Sequence, residues 1–205
     1  EYINIMVYPF TDSQILGIST FPYSLKDFFL EGTQQVSASW ITLENLSFPY
    51  CISINSSYIY EQSTDERINQ NDAAITLAHE LGHYLGLRHV FSEGGTTSMC
   101  TDTDYCKDTP SYNRSEYEQW LNNLDKQNKY QLKDLAKRYS CEKGEYEAHN
   151  IMDYAYCFYN EITLEQRKRI RHILNYSPLI PGPKESRIDT RGVQGRLNLP
   201  ICIMK

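Results

Sequence analysis

The chemistry of this chain is concentrated in eleven consecutive residues, His79-Glu80-Leu81-Gly82-His83-Tyr84-Leu85-Gly86-Leu87-Arg88-His89. His79 and His83 are four apart, so a helix stacks them one turn apart on one face. From there both imidazoles reach the same metal ion. Glu80 falls at the edge of that face, able to touch a water on the metal without being a ligand. Gly86 lets the helix stop and turn, because a residue without Cβ accepts the left-handed conformation. The turn brings His89 round as a third nitrogen. Three nitrogens plus a water make the open tetrahedral site of a catalytic zinc, not the closed four-ligand site of a structural one. A bare H-E-x-x-H arises by accident in helices, and a lone histidine is more often a satisfied core or surface residue. The metal reading rests on His79, Glu80, His83, Gly86 and His89 agreeing at once.

Those side chains need a helix beneath them. Ala74, Ile75, Ala78, Leu81 and Leu85 recur at helical spacing, which predicts an amphipathic, largely buried helix over residues 72–85, capped by Asn71 or Asp72. Upstream, residues 2–10 alternate with Ile3, Ile5 and Val7 on one face and read as a strand. Residues 15–21 read as a second strand ended by Pro22, with further strands over 35–43 and 51–60. Downstream, Thr163-Leu164-Glu165-Gln166 is a capping-box pattern opening a helix that carries Arg167, Lys168, Ile170, Arg171, Ile173 and Leu174. Pro178, Pro181, Gly182 and Pro183 then break regular structure, so residues 178–205 read as an extended tail. Residues 111–141 are rich in Tyr, Gln, Asn, Lys and Glu. They show helical spacing at Tyr117, Trp120, Leu121 and Leu124, then at Leu132, Leu135 and Tyr139. No internal repeat or low-complexity segment stands out.

A chain of 205 residues suits one domain with two lobes. No apolar run approaches the length of a membrane span. The net charge of −6 argues against a nucleic-acid partner. The chain begins with Glu1 and reads as a processed or truncated form; a leader peptide, a pro-segment or a lipid anchor upstream of residue 1 stays open. The 6 cysteines, Cys51, Cys100, Cys106, Cys141, Cys157 and Cys202, include no C-x-x-C pair. Their even count favours disulfides over a cysteine zinc site, and so an extracytoplasmic place: secreted, periplasmic or cell-surface.

With Asn150-Ile151-Met152-Asp153-Tyr154 downstream, the zinc motif resembles the metzincin metalloproteases, whose second signature is a tight turn carrying a methionine below the zinc. Phe91, Cys100, the run Asp104-Tyr105-Cys106-Lys107-Asp108-Thr109-Pro110 and then Cys157 are similar to the pappalysin-like branch of that superfamily. Residues 15–22 resemble the branch's early strand. The resemblance covers most of residues 1–177. It implies an α+β catalytic domain, with a twisted mixed sheet and the zinc helix in an N-terminal lobe (1–90). A smaller irregular and helical C-terminal lobe (91–177) holds the methionine turn; residues 111–141 depart from the family pattern and read as an insertion over one rim of the cleft. It places an edge strand at 51–60, above the zinc, to pair with an extended peptide substrate.

The implied activity is that of a zinc-dependent endopeptidase. Zn2+ on His79, His83 and His89 lowers the pKa of its water from about 15.7 to about 7, and Glu80 acts as general base. Met152 packs under the metal as a soft, space-filling side chain. Tyr154 either stabilises the oxyanion or contacts the metal, or is a packed tyrosine among 17. Relatives hold calcium near the D-T-P segment, which makes Asp104, Asp108 and Thr109 candidate Ca2+ ligands, with Glu93 and Asp102 close by; the other reading is a solvated acidic loop. The branch pattern pairs Cys100 and Cys106 with Cys141 and Cys157 in an open order. Cys51 and Cys202 are then either a further pair or free thiols. His149 and His172 read as structural or surface residues. Ala155 and Tyr156 stand where family members often carry acids, so a preference for a basic residue after the scissile bond does not carry over. The partner implied is a peptide or protein substrate, with a monomeric enzyme. Two other functions fit the motif: a zinc hydrolase with a non-peptide substrate, and a binding or adhesion module with a structural zinc. Glu80 argues against the second, since a binder has no need of a base there.

Overall fold

The computed structural model describes residues 2–45, 50–65, 69–92, 102–127, 131–142, 144–154, 156–182, 184 and 201–204. Five short strands come first: β1 (Asn4–Tyr8), β2 (Gly17–Thr20), β3 (Tyr23–Leu25), β4 (Gln34–Val36) and β5 (Cys51–Asn55). The zinc-motif helix α1 (Ala73–Tyr84) follows, then α2 (Arg114–Gln127), α3 (Leu132–Leu135), β6 (Lys137–Ser140), β7 (Gly144–Glu147) and α4 (Leu164–Tyr176). A last strand, β8 (Ile201–Met204), returns to the first part of the chain. The fold is α+β, as expected. Its main sheet is mixed, in the order β1-β5-β2-β8, with β1 parallel to β5 and β2 antiparallel to both β5 and β8. β3–β4 and β6–β7 form two small ribbons.

Several expected elements differ. β5 is no edge strand: it lies between β1 and β2, and all its residues are buried. It stops at Asn55, whose side-chain oxygen accepts from Ser57 N–H (3.1 Å) while its amide donates to the Ile15 carbonyl (2.9 Å), turning the chain into a 3-10 segment, Ser56–Tyr58. The apolar face expected on the first strand is exposed, with Ile3, Ile5 and Val7 at 40%, 49% and 51%. β1 lies at one end of the sheet, and α1 packs on β2, β5 and β8 instead. The strand expected over 35–43 ends at Val36, and Ser37-Ala38-Ser39 turns into a 3-10 segment. Tyr139 belongs to β6 rather than to a helix. Within the tail, residues 201–204 form a strand that joins the sheet, a pairing not foreseen from the sequence. α4 opens as expected with a complete capping box between Thr163 and Gln166.

α1 has the expected bounds within a residue or two, and Ile75, Leu81 and Leu85 pack half-buried against the core as expected, but its most buried residues are on the metal-facing side. Thr76, His79, Glu80, Gly82, His83 and Tyr84 are buried, while Ala74 and Ala78 are exposed. Asp72 is its N-cap residue without a capping bond; its carboxylate accepts from Ser63 N–H (2.8 Å) instead. Two hydrophobic clusters flank this helix. One joins Ile52 and Ile54 of β5 to Tyr84 and to Ile173 of α4. The other gathers Leu87, Phe91, Tyr112, Ile151, Met152 and Tyr159.

The cysteine pattern is corrected. Cys106 and Cys157 are buried free thiols, so the bridges expected there are not formed, and Cys51 is a buried free thiol, the second of its two readings. The first two are satisfied locally: Cys106 Sγ donates to the Asp104 carbonyl (3.6 Å) and Cys157 Sγ to the Asn150 carbonyl (3.3 Å). Burial pushes the Cys106 thiol up to about 12 and Cys157 well above its usual value. Cys141 is disulfide-bonded, but not to another described side chain. Cys100, Glu93 and Ala155 lie outside the described residues, as does the side chain of Cys202.

Candidate metal centre

α1 aims His79 and His83 inward. Gly86, at φ +88°, ends the helix and carries the chain on to His89. A Cβ there would come within 2.7 Å of Ile173, so both the backbone and the packing call for glycine. The three Nε2 atoms converge: 3.1 Å for His79–His83, 3.0 Å for His83–His89 and 3.3 Å for His79–His89. A tetrahedral zinc with Zn–N of about 2.0–2.1 Å separates its ligand nitrogens by about 3.3 Å. The observed triangle is close to three corners of that tetrahedron, so the donor set fits the ion. Among the described residues it is the one such cluster of potential ligands.

Hydrogen bonds hold the rings in place. His79 Nδ1 donates to the Ile151 carbonyl (2.7 Å) and His83 Nδ1 to the Leu87 carbonyl (2.8 Å). A proton fixed on Nδ1 leaves the Nε2 lone pair for a metal. Burial lowers all three basicities: His79 falls to about 4, and His83 and His89 lie well below the usual value. The imidazoles are therefore neutral, the form that ligates.

Glu80 is fully buried. Its side chain lies against Gly17 of β2, where a Cβ would meet Glu80 Cγ at 2.6 Å and Oε1 at 2.9 Å. A glycine inside a strand commonly marks such a close approach. Met152, also fully buried, packs its sulfur onto Gly82 of α1. Its turn is fastened to α4 through Asn150, whose amide exchanges two hydrogen bonds with Gln166 (2.8 and 3.0 Å).

Tyr154 stands beside the histidines, its ring centroid 4.6 Å from His89 and 5.8 Å from His79. Phe91 stacks on His89 at 4.7 Å and 10°. The Arg114 guanidinium, at the start of α2, lies 4.1 Å over the Tyr154 ring and 4.9 Å over Phe91. The 111–141 segment thus begins at the site. It also sends Arg138 underneath. That guanidinium is completely buried, donates to the carbonyls of Tyr156 (2.9 Å) and Tyr154 (3.4 Å), and pairs with Asp153 at 3.4 Å. Tyr112 donates to the same carboxylate at 2.5 Å. Nothing in the sequence flagged Arg138, Arg114 or Tyr112; the lone strand glycine was the readable signal for Gly17.

The candidate calcium residues are otherwise engaged. Asp104 accepts from the Thr109 hydroxyl (2.7 Å) and Cys106 N–H (2.9 Å). Asp108 accepts from the Thr163 hydroxyl (2.7 Å) and Glu165 N–H (2.9 Å). His149 and His172 lie outside the site, bonded to Asn160 and to the Phe28 carbonyl.

A mixed sheet over a helix bearing His79, Glu80 and His83, with a third histidine beyond the helix end and a buried methionine turn beneath, defines a zinc-peptidase type of site. Residues 40–175 match the family model Peptidase_M43, described as pregnancy-associated plasma protein-A. The chain belongs to this pappalysin-like family. Similar curated proteins include an extracellular metalloprotease of Arthroderma otae, 32% identical over 171 residues, which are 82% of this chain and 49% of that protein. Another from Arthroderma benhamiae is 37% identical over 108 residues, 51% of this chain and 32% of the relative. The chain thus spans about a third to a half of the curated relatives it matches. Among solved structures, mature mirolysin of Tannerella forsythia in complex with a cleaved peptide is 24% identical, with a TM-score of 0.47 over 83% of this chain and 51% of that one. No helix among the described residues is long and apolar enough to cross a membrane.

Proposed function

We propose that this chain is the catalytic domain of an extracytoplasmic zinc endopeptidase, with residues 1–90 and 91–177 as its two lobes. The observation that carries the reading is a buried carboxylate, Glu80, one residue from a converging histidine triad. A buried carboxylate is costly to desolvate, and this one lies beside the helix face that carries His79 and His83. The extracytoplasmic placement is supported by the relatives, which are named as extracellular enzymes.

His79, His83 and His89 would hold Zn2+, which when bound supplies Lewis acidity toward a water and a carbonyl oxygen. Glu80 removes the water's proton and returns it to the leaving amine. Tyr154, in ring contact with two of the ligands, donates its hydroxyl to the developing oxyanion. An extended peptide pairs along β2 on the side away from β5, because β2 packs on α1 and its Gly17 lies against Glu80. The test is hydrolysis of a quenched-fluorescent peptide library with and without a chelator, beside Glu80→Ala. The substitution should lower activity about 10²–10⁴-fold while metal content and thermal stability hold. Activity within a few-fold of wild type would remove Glu80 as the base. No hydrolysis of any peptide by the zinc-loaded wild type would overturn the endopeptidase reading.

A further inference from the structure

The side of β2 assigned to substrate is filled by the chain itself. β8 pairs antiparallel with β2 in the register Thr20↔Ile201, Ser19↔Cys202, Ile18↔Ile203 and Gly17↔Met204. The other side of β2 is taken by β5. The ladder ends at Gly17, the residue that touches Glu80. The zinc helix packs on β2 and β8 together. Strand addition supplies affinity through main-chain hydrogen bonds, which any extended segment in register makes. Two chains cannot use one row of backbone donors and acceptors at once.

We infer that residues 201–204 are an internal competitor for the substrate-binding side of β2, so that the chain's own segment must leave before an extended peptide enters. The inference rests on the endopeptidase reading for the identity of the competing ligand. A tethered segment acts at high effective concentration, so even a four-residue ladder opposes a free peptide. The effect reads out as a raised KM, because the segment adds to the sheet and leaves His79, His83, His89 and Glu80 in place.

The experiment uses the full chain carrying Ile203→Pro and Met204→Pro together. N–H groups of an edge strand point alternately toward and away from the neighbouring strand. One of the two prolines therefore removes a ladder donor, whichever way the alternation runs. Expected for a quenched-fluorescent peptide substrate are a KM lowered about tenfold, a kcat within about twofold, and competitive inhibition of the variant by a synthetic copy of residues 198–205. An unchanged or raised KM would overturn the inference, as would a copy that fails to compete. Binding is also measured on a Glu80→Ala background, using the same peptide as an uncleaved ligand. There the prolines should tighten binding about tenfold. If β8 is only a structural strand, the prolines lower Tm and leave that affinity unchanged or weaker. Should no peptide be hydrolysed by any form, the endopeptidase reading falls, while the affinity comparison still decides the competition between segment and peptide.

Discussion

At the scale of single residues, the site depends on a glycine and an arginine as much as on its ligands. Gly17 has no side chain to keep Glu80 away from β2, and any Cβ would fall at 2.6 Å from Glu80 Cγ. Gly17→Ala must therefore move the carboxylate rather than the histidines. The expected outcome is kcat reduced at least tenfold, toward the 10²-fold range seen for loss of a positioned base, with zinc content unchanged by elemental analysis. Normal kcat would show that Glu80 tolerates displacement. Arg138 holds the Tyr154 and Tyr156 carbonyls and faces Asp153 in a fully buried pair. Arg138→Met leaves the carboxylate without its cation, and breaking one side of such a pair costs about 3–5 kcal/mol. Urea unfolding should show that loss, and much of it should be recovered by adding Asp153→Leu. The sequence displayed the ligands because their spacing is set by one helix and one turn. It did not display Arg138, whose partners come from a distant segment and which reads in isolation as one more charged residue between Lys137 and Tyr139.

At the scale of elements, periodicity read α1 and the packing of Ile75, Leu81 and Leu85 correctly but misplaced two alanines. The rule places apolar residues inward, so Ala74 and Ala78 were expected in the core. The metal-facing side is the more deeply buried one, with His79, Glu80 and His83 buried, and the two alanines fall to solvent. The 102–109 loop is a second case. Its carboxylates were candidate cation ligands but are bound to the loop itself and to the start of α4. Burial raises Asp104 to about 7, against the opposing bonds from Thr109 and Cys106. Between its ordinary value of 3.8 and about 7, the folded state holds a proton that the unfolded state releases. The stability this group supports is complete below pH 3.8 and is lost as pH rises through about 7. Asp108 has the opposite sign. Its burial pushes upward, but bonds from Glu165 N–H and the Thr163 hydroxyl hold it below the usual range. Its contribution is present above pH 3.8 and is lost in stronger acid. Asp104→Asn keeps an acceptor for Cys106 N–H, and Thr109 can still donate to the Cys106 carbonyl at 2.6 Å. It should raise Tm at pH 8 relative to wild type and leave Tm at pH 4 nearly unchanged. A lower Tm at pH 8 would show that the ionised carboxylate is being stabilised there.

At the scale of the whole molecule, the metal centre lies where the two hydrophobic clusters meet. His79 and His83 belong to α1, whose Tyr84 joins the first cluster; His89 stacks on Phe91 of the second. The bond from His79 to the Ile151 carbonyl ties the same helix to the methionine turn. Three neutral imidazoles facing one another at 3.0–3.3 Å bring lone pairs together. Burial prevents them from relieving this by taking up protons near neutral pH. An ion in their midst therefore removes a repulsion inside the core while joining its halves. At free zinc about a hundredfold above Kd, binding adds roughly 2.7 kcal/mol of stability. For a chain of this size each kcal/mol moves Tm by about 2–4 °C, so chelation should lower Tm by about 5–11 °C and zinc should restore it. Hydrogen exchange in the chelated protein should rise first in the segments that face the ion, residues 87–91 and 150–154, before the amides of β5 respond. A Tm shift below about 1 °C, or loss of protection beginning in β5, would mean that the two clusters hold together without the ion and that the histidines serve chemistry alone.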